Sequence, residues 1–459
     1  MTPNAQTKAA LPRSPRHNGL AATLMLALTA MALAQAPALA AAADAALPAL
    51  KLSRDGVTVS GLSSGGYMAG QFQVAFSGLL SGAAVLAAGP NGCTRGQLST
   101  AMRECSCPAD LAPWLTQFPG WTGIGCRVPS ASELAVRADT ALTLNRLYLD
   151  DPANLARQRV WLLQDSQDPV VAPPLVEAAA NFYRQHGVAA SAIKLRPVAG
   201  AGHGLPVPGG PVACKLTASP YLTDCPGVDA AGELLAWLYG APGSASGAAP
   251  GAAPAAPADA SAGAPADASA GAAPTAGLAP GVASRPAGLM AFDQRRYRQH
   301  GVFDGLDDSG WLYVPAACTT QRGGTSTCRL HVVFHGCAQG QGFAGPSGQP
   351  IGRTFVEGAG YNRWAESHRL VLLYPQVRAS TPSPADQARG ATYQLNPQGC
   401  WDFWGYTNRN EALTGVFRVY ARRGAPQMAA VKRMVDALLR PAAAAAKPRV
   451  SAPPASASR

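Results

Sequence analysis

Short apolar runs alternate with amphipathic stretches along most of the chain. Residues 57–63 (VTVSGLS), 81–89 (SGAAVLAAG), 159–165 (RVWLLQD) and 192–198 (AIKLRPV) are of strand length and rich in apolar or β-branched residues, the pattern of strands covered on both faces. Between and after them, 67–80 (YMAGQFQVAFSGLL), 173–187 (PPLVEAAANFYRQHG) and 229–240 (DAAGELLAWLYG) space their apolar residues as helices do. The alternation returns later in the chain. Strands are expected at 310–316 (GWLYVPA), 329–336 (RLHVVFHG) and 370–377 (LVLLYPQV), and helices at 361–369 (YNRWAESHR) and 428–440 (MAAVKRMVDALLR). Strands exchanging with helices predict an α/β fold, a mostly parallel sheet flanked by helices.

Three segments stand outside that pattern. Residues 241–286 contain no aromatic residue and almost no large apolar side chain, so they bury too little surface to offset the entropy of ordering and are predicted to be a disordered linker. An Ala/Pro/Ser tail is expected over 441–459. The N-terminus pairs Lys8, Arg13 and Arg16 with the apolar run GLAATLMLALTAMALA and the small residues Ala38-Leu39-Ala40, the layout of a signal peptide ending near residue 40. Two structured blocks remain, 45–240 and 287–440.

Composition narrows the function. The chain has 459 residues, 47% hydrophobic and 14% charged, with a formal charge of +11. Its arginines are scattered among acids rather than gathered into a stripe with aromatic platforms, which argues against a nucleic-acid partner. Ten cysteines, an even number in a chain with an export signal, suggest disulfides and a secreted or periplasmic protein, with Cys214–Cys225 and Cys318–Cys328 the plausible local pairs. No paired CxxC spacing suggests a metal, and no cofactor is expected. With the signal removed, no stable membrane insertion is expected either.

The first block carries the candidate chemistry. Residues 59–66 read VSGLSSGG, which sets G-x-S-x-G after a strand and before a helix, the turn that lifts a nucleophilic serine above a sheet. The template centres on Ser63, leaving Ser64 to offer its backbone N–H to an oxyanion. A serine needs a base and a group that orients the base. QDSQDPVV follows a strand and supplies Asp165 and Asp168; Asp168, at the far end of the turn, is the candidate acid. His203 lies in a Gly-rich loop, GAGHG, after the next strand, so serine, acid and histidine follow the chain order of α/β-hydrolases.

The oxyanion loop is out of order. RLHVVFHGCAQG is a strand ending in His-Gly, the kind of loop that gives the second oxyanion N–H in such enzymes, with Cys337 the candidate donor. It usually precedes the nucleophile, yet here it comes far after Ser63. Placing block 287–440 before block 45–240 restores the usual order. The two blocks are therefore expected to be parts of one circularly permuted α/β-hydrolase domain.

VSGLSSGGYMA, QDSQDPVV, GAGHG, VVFHGCAQ and GCWDFWGY together resemble the esterase family of poly(3-hydroxybutyrate) depolymerases, in particular its members with a permuted catalytic domain. The likeness spans roughly 50–240 and 290–440. It implies a Ser63–His203–Asp168 triad, oxyanion N–H groups from Ser64 and Cys337, and hydrolysis of short-chain polyhydroxyalkanoates without a cofactor. Trp401 or Trp404 is expected to line the substrate cleft, with His335 beside them, and the motif does not choose between the two tryptophans. The expected partner is a polyester polymer or oligomer. The alternatives are a feruloyl or acetyl-xylan-type esterase with the same triad, and a non-catalytic polymer binder on a hydrolase scaffold.

Overall fold

The structure is a computed structural model that describes residues 45–50, 52–107, 125–240, 288–319, 328–388, 393–408 and 419–440. The expected signal peptide, the linker at 241–286 and the tail at 441–459 lie outside the described residues. In the first block β1 (Val57–Leu62) leads into α1 (Ser64–Ala75), followed by β2 (Leu80–Leu86) and α2 (Ala131–Asn145). Then come β3 (Arg159–Asp165), α3 (Pro173–Gln185), β4 (Ile193–Val198) and α4 (Ala230–Tyr239). The second block supplies β5 (Gly288–Asp293), β6 (Ser309–Val314), β7 (Arg329–Phe334), α5 (Tyr361–His368), β8 (Leu370–Tyr374) and α6 (Pro426–Leu439).

Both blocks contribute to one sheet. Its order is β4-β3-β2-β1-β7-β8-β6-β5, and the first block meets the second where β1 pairs with β7 in parallel, Thr58 opposite His331 and Gly61 opposite Phe334. All neighbours are parallel except β8–β6 and β6–β5, so the sheet is mixed but mostly parallel. The antiparallel edge strand β5 and helix α2 are not among the expected elements. The first begins directly after the residues left undescribed. The second does have a sequence signal: Ser130 and Glu133 form a capping box at its start, an S-x-x-E pattern that marks a helix N-terminus.

Alternation along β1 and β7 assigns their side chains to opposite faces. Val57 and Val59 pack with Leu330, Val332 and Phe334 in one apolar layer. The other face of the same strands carries Thr58, Ser60 and His331, all fully buried. There the hydroxyls of Thr58 and Ser60 lie 2.6 Å and 2.8 Å from His331 Nδ1 and Nε2. Ser60 Oγ also donates to Tyr361 Oη at 2.9 Å, and Thr58 is hydrogen-bonded to Tyr239. With both ring nitrogens occupied by neutral partners, burial pushes the His331 pKa down to about 3, so a neutral imidazole ties the two blocks together.

Candidate active site

Ser63 occupies the single residue between β1 and α1, with φ 58° and ψ −120°. A non-glycine residue with positive φ costs on the order of 1–3 kcal/mol and persists only where its surroundings impose it. Here they do. Ser63 N–H donates to Leu86 O at 2.9 Å and Ser63 O accepts from Tyr67 N–H at 3.0 Å. The flanking glycines permit the close fit: a Cβ on Gly61 would lie 2.2 Å from Gly65 O, and one on Gly65 would lie 2.4 Å from Phe334 O and 2.5 Å from His335 O. The requirement for glycine on both sides is thus steric, and at Gly65 it is imposed by the second block.

The two serines have different tasks. Ser64 Oγ accepts the Trp401 N–H at 3.2 Å, so its hydroxyl anchors the aromatic segment. Ser63 is the one in the strained turn, and the loop from the second block sits against it: a Cβ on Gly336 would lie 3.5 Å from Ser63 Cβ.

Asp168 and His203 come together as expected, His203 Nδ1 lying 2.7 Å from Asp168 Oδ2 with both residues buried. The other carboxylate oxygen, Oδ1, accepts from Val170 N–H at 2.7 Å and Val171 N–H at 2.8 Å. The acid is therefore fixed from behind, and a carboxylate at Nδ1 leaves Nε2 as the free basic nitrogen. Burial works against the charged imidazole, yet the charge and hydrogen bond of Asp168 raise the His203 pKa above its ordinary value. Asp165 ends β3, is 1% exposed, and among the described residues only the Gly204 N–H approaches its carboxyl, without forming a full hydrogen bond. Burial, reinforced by the Asp168 charge, pushes its pKa up to about 8. Sequence reasoning passed over this second acid because it lies at the strand end.

Residues 335–339 form the loop after β7. His335 is fully buried: its Nδ1 lies 2.7 Å from Gly336 O, while Nε2 accepts the Val377 N–H at 3.1 Å. Both nitrogens thus serve the backbone, and burial pushes the pKa down to about 4. Rather than facing a substrate as the sequence suggested, His335 braces its loop. Gly336 N–H donates to Gln339 Oε1 at 2.6 Å, and Ala338 N–H donates to Gln398 O at 2.7 Å. Between them the N–H of Cys337 has no acceptor among the described residues. Cys337 is bonded to Cys400, which joins the loop to the aromatic segment.

All ten cysteines are paired, the others as Cys93–Cys105, Cys107–Cys126, Cys214–Cys225 and Cys318–Cys328. Both expected local pairs are present. Five disulfides fit an oxidising, extracytoplasmic compartment.

The aromatic segment is folded around one acid. Asp402 Oδ1 accepts N–H groups from Trp404, Gly405 and Tyr406, while Oδ2 accepts from the N–H and hydroxyl of Thr407. Trp401 packs on Phe334 and His335, and Phe403 stacks on Tyr67 with ring centroids 4.5 Å apart. Trp401 and Trp404 are both buried, at 0% and 4% exposure, and their indole N–H groups have no partner among the described residues. No group of three His, Cys, Asp or Glu side chains among the described residues is placed to hold a metal, and no described helix is long and apolar enough to cross a membrane.

Fold and arrangement place the chain in the class of α/β proteins built around a serine turn with a histidine and an acid on neighbouring loops. Over 393 residues it is 30% identical to a poly(3-hydroxybutyrate) depolymerase of Delftia acidovorans, covering 85% of this chain and 61% of that one. A polyhydroxybutyrate depolymerase of Talaromyces funiculosus is 29% identical, covering 81% of this chain and 89% of its own. Two solved structures superpose with a TM-score of 0.59 at 26% identity, covering 86% of this chain and 98% of theirs. One is a PHB depolymerase from Penicillium funiculosum, the other a Ser→Ala PHB depolymerase complexed with an R3HB trimer. Over most of its length the chain is thus similar to poly(3-hydroxybutyrate) depolymerases. It spans about three-fifths of the length of the Delftia relative, and no family model matches its sequence.

Proposed function

We propose that the chain is a secreted or periplasmic serine esterase that hydrolyses ester bonds of poly(3-hydroxybutyrate) or related short-chain polyesters and their oligomers. The observation that carries this reading is the buried 2.7 Å Asp168–His203 pair, on the loops after two strands of the sheet that also carries Ser63 in its strained turn. Ser63 Oγ attacks the ester carbonyl carbon and its proton passes to His203 Nε2 while Asp168 holds the ring. The tetrahedral oxyanion takes the N–H groups of Ser64 and Cys337. Collapse breaks the ester C–O bond, and His203 returns the proton to the departing hydroxyl end of the chain. Water then repeats the sequence on the acyl-enzyme, releasing the free acid and restoring Ser63. Of the two tryptophans, Trp404, which keeps 4% exposure where Trp401 keeps none, is the proposed apolar wall for the methyl-bearing monomers.

In the same reading, 45–240 and 287–440 form one circularly permuted α/β-hydrolase domain, with 241–286 as the tether. Support comes from the shared sheet, in which the serine strand β1 and the oxyanion-loop strand β7 are neighbours although one lies in each block.

The test is to incubate the mature protein with amorphous polyhydroxybutyrate, hydroxybutyrate oligomers and feruloyl esters. Release of 3-hydroxybutyrate products is expected, and turnover of feruloyl esters alone would favour the second esterase reading. Ser63→Ala is expected to abolish hydrolysis and labelling by a serine-directed phosphonate. Ser64→Ala keeps its backbone N–H and loses one bond to Trp401, worth about 1 kcal/mol, so it should retain substantial activity. The reverse result would overturn the assignment of the nucleophile.

A further inference from the structure

Gln339 is 1% exposed and sits where three parts of the site meet. Its Oε1 accepts the Gly336 N–H at 2.6 Å, and its Nε2 donates to Pro220 O at 2.8 Å. Pro220 precedes Tyr221, whose ring meets the His203 ring edge-on at a centroid distance of 6.3 Å. One side chain thus connects the loop beside Ser63, from the second block, to the loop that packs on His203, from the first.

The connection has a consequence for the loop's donors. Ala338 has φ 58°, so the loop reverses there and its consecutive N–H groups point in different directions. Gln339 takes that of Gly336, and Gln398 O takes that of Ala338. Only the Cys337 N–H between them stays unspent among the described residues. A donor aimed at an oxyanion contributes most when it is held in place before the charge develops. The Cys337–Cys400 disulfide holds the loop on the aromatic side; Gln339 holds it on the histidine side.

We infer that Gln339 is a positioning residue for the hydrolysis: by binding Gly336 N–H and Pro220 O together it directs the Cys337 N–H at the oxyanion and fixes that donor's distance from His203. The inference rests on the proposed esterase reading and adds a residue to which neither the motif nor the relatives assign a role. Glutamine is suited to this place because one amide both accepts and donates. Methionine has similar length and burial but makes neither bond. Glutamate accepts from Gly336 N–H at any pH, yet can donate to Pro220 O only when protonated.

The experiment compares wild type, Gln339→Met and Gln339→Glu on a soluble hydroxybutyrate oligomer and in the rate of phosphonate labelling of Ser63, with thermal melting alongside. Wild-type labelling checks the underlying reading first, and its absence would overturn both. Misplacing a reacting group by about 1 Å costs on the order of 100-fold, so Gln339→Met should lower kcat by about 30- to 100-fold and slow labelling by a similar factor. KM should stay within about threefold, because the substrate wall is untouched. For Gln339→Glu, activity relative to wild type should rise as pH falls and the carboxyl gains its proton. A Met variant with near-normal kcat, or a loss confined to KM, would overturn the inference. Should Gln339→Met not fold, a flat ratio of Gln339→Glu to wild type across pH would overturn it equally.

Discussion

Asp165→Asn isolates the second acid of the site. Asp165 is 1% exposed, its carboxyl forms no full hydrogen bond among the described residues although the Gly204 N–H approaches it, and its pKa is pushed up from 3.8 to about 8. Burial is the larger cause, followed by the Asp168 carboxylate, with His203 acting in the opposite direction. In the folded protein the carboxyl stays protonated at neutral pH; in the unfolded chain it ionises near pH 4. A group whose folded pKa is raised contributes fully to stability below the unfolded pKa and loses that contribution as pH rises through the folded one. Each unit of difference corresponds to about 1.4 kcal/mol, so by pH 7 the cost of Asp165 reaches about 4 kcal/mol. Asparagine keeps the shape of the protonated acid and removes the ionisation. Urea unfolding of both proteins from pH 4 to 9 should show the variant gaining on wild type between pH 4 and 8 and levelling beyond. Hydrolysis should survive, because Asp165 is uncharged in the folded wild type at pH 7. Parallel stability curves across that range would refute the argument, and with it the protonated state of Asp165.

Two further predictions concern how the site is held together. Replacing both Cys337 and Cys400 by serine opens a link of sequence separation 63, against 10 for Cys318–Cys328, for expected entropic losses of about 4 and about 3 kcal/mol respectively. Both pairs of substitutions should lower the melting temperature, but only the first should also lower kcat; equal kcat in the two would show that the Cys337 loop needs no such anchor. The second prediction is that a chain rejoined as 287–440, a short linker and 45–240 should be an active esterase, whereas neither block should fold alone because each would expose an unpaired strand edge. Full activity from 45–240 by itself would refute the one-domain reading.

The sheet strands except β5, most helices and the Ser63, Asp168 and His203 positions were legible because each has a local cause. Apolar runs gave the strands, and the G-x-S-x-G turn gave Ser63, since the two glycines are demanded by contacts of 2.2–2.5 Å. The Asp168–His203 pair followed from chain order. What the sequence did not show depends on partners far away along the chain. His335 reads as a substrate-facing residue beside a motif, but its burial and its bond to Val377 are settled by a neighbouring loop. Gln339 looks like any polar residue after HGCA until Pro220 is folded against it. Asp165 and Asp168 differ by three positions, and only the fold shows Asp168 oriented by two N–H groups and Asp165 buried with no full hydrogen bond among the described residues. Helix α2 is the exception, because its capping box was present in the sequence.

Register connects the buried interior of the sheet to the site at its edge. Along β1 and β7, Thr58 faces His331 and Gly61 faces Phe334; continuing two residues further on each strand leads to Ser63 and Gly336, whose positions lie in contact. Slipping one strand by a single residue would shift these turns by about 3.3 Å and exchange the two faces. His331 would then enter the layer of Val57, Val59 and Phe334, where no hydroxyl awaits it. An imidazole buried without hydrogen bonds costs several kcal/mol, and its two bonds to Thr58 and Ser60 are available in one register alone. The apolar residues of these strands are less discriminating, since valine and leucine pack acceptably in several alignments. It follows that the polar residues inside the sheet, remote from any substrate, are what align the serine turn with the loop that carries Cys337. This matters in a sheet whose two halves are hydrogen-bonded to each other only along β1 and β7: no short turn links those strands to set their register, so side chains buried between them must do so.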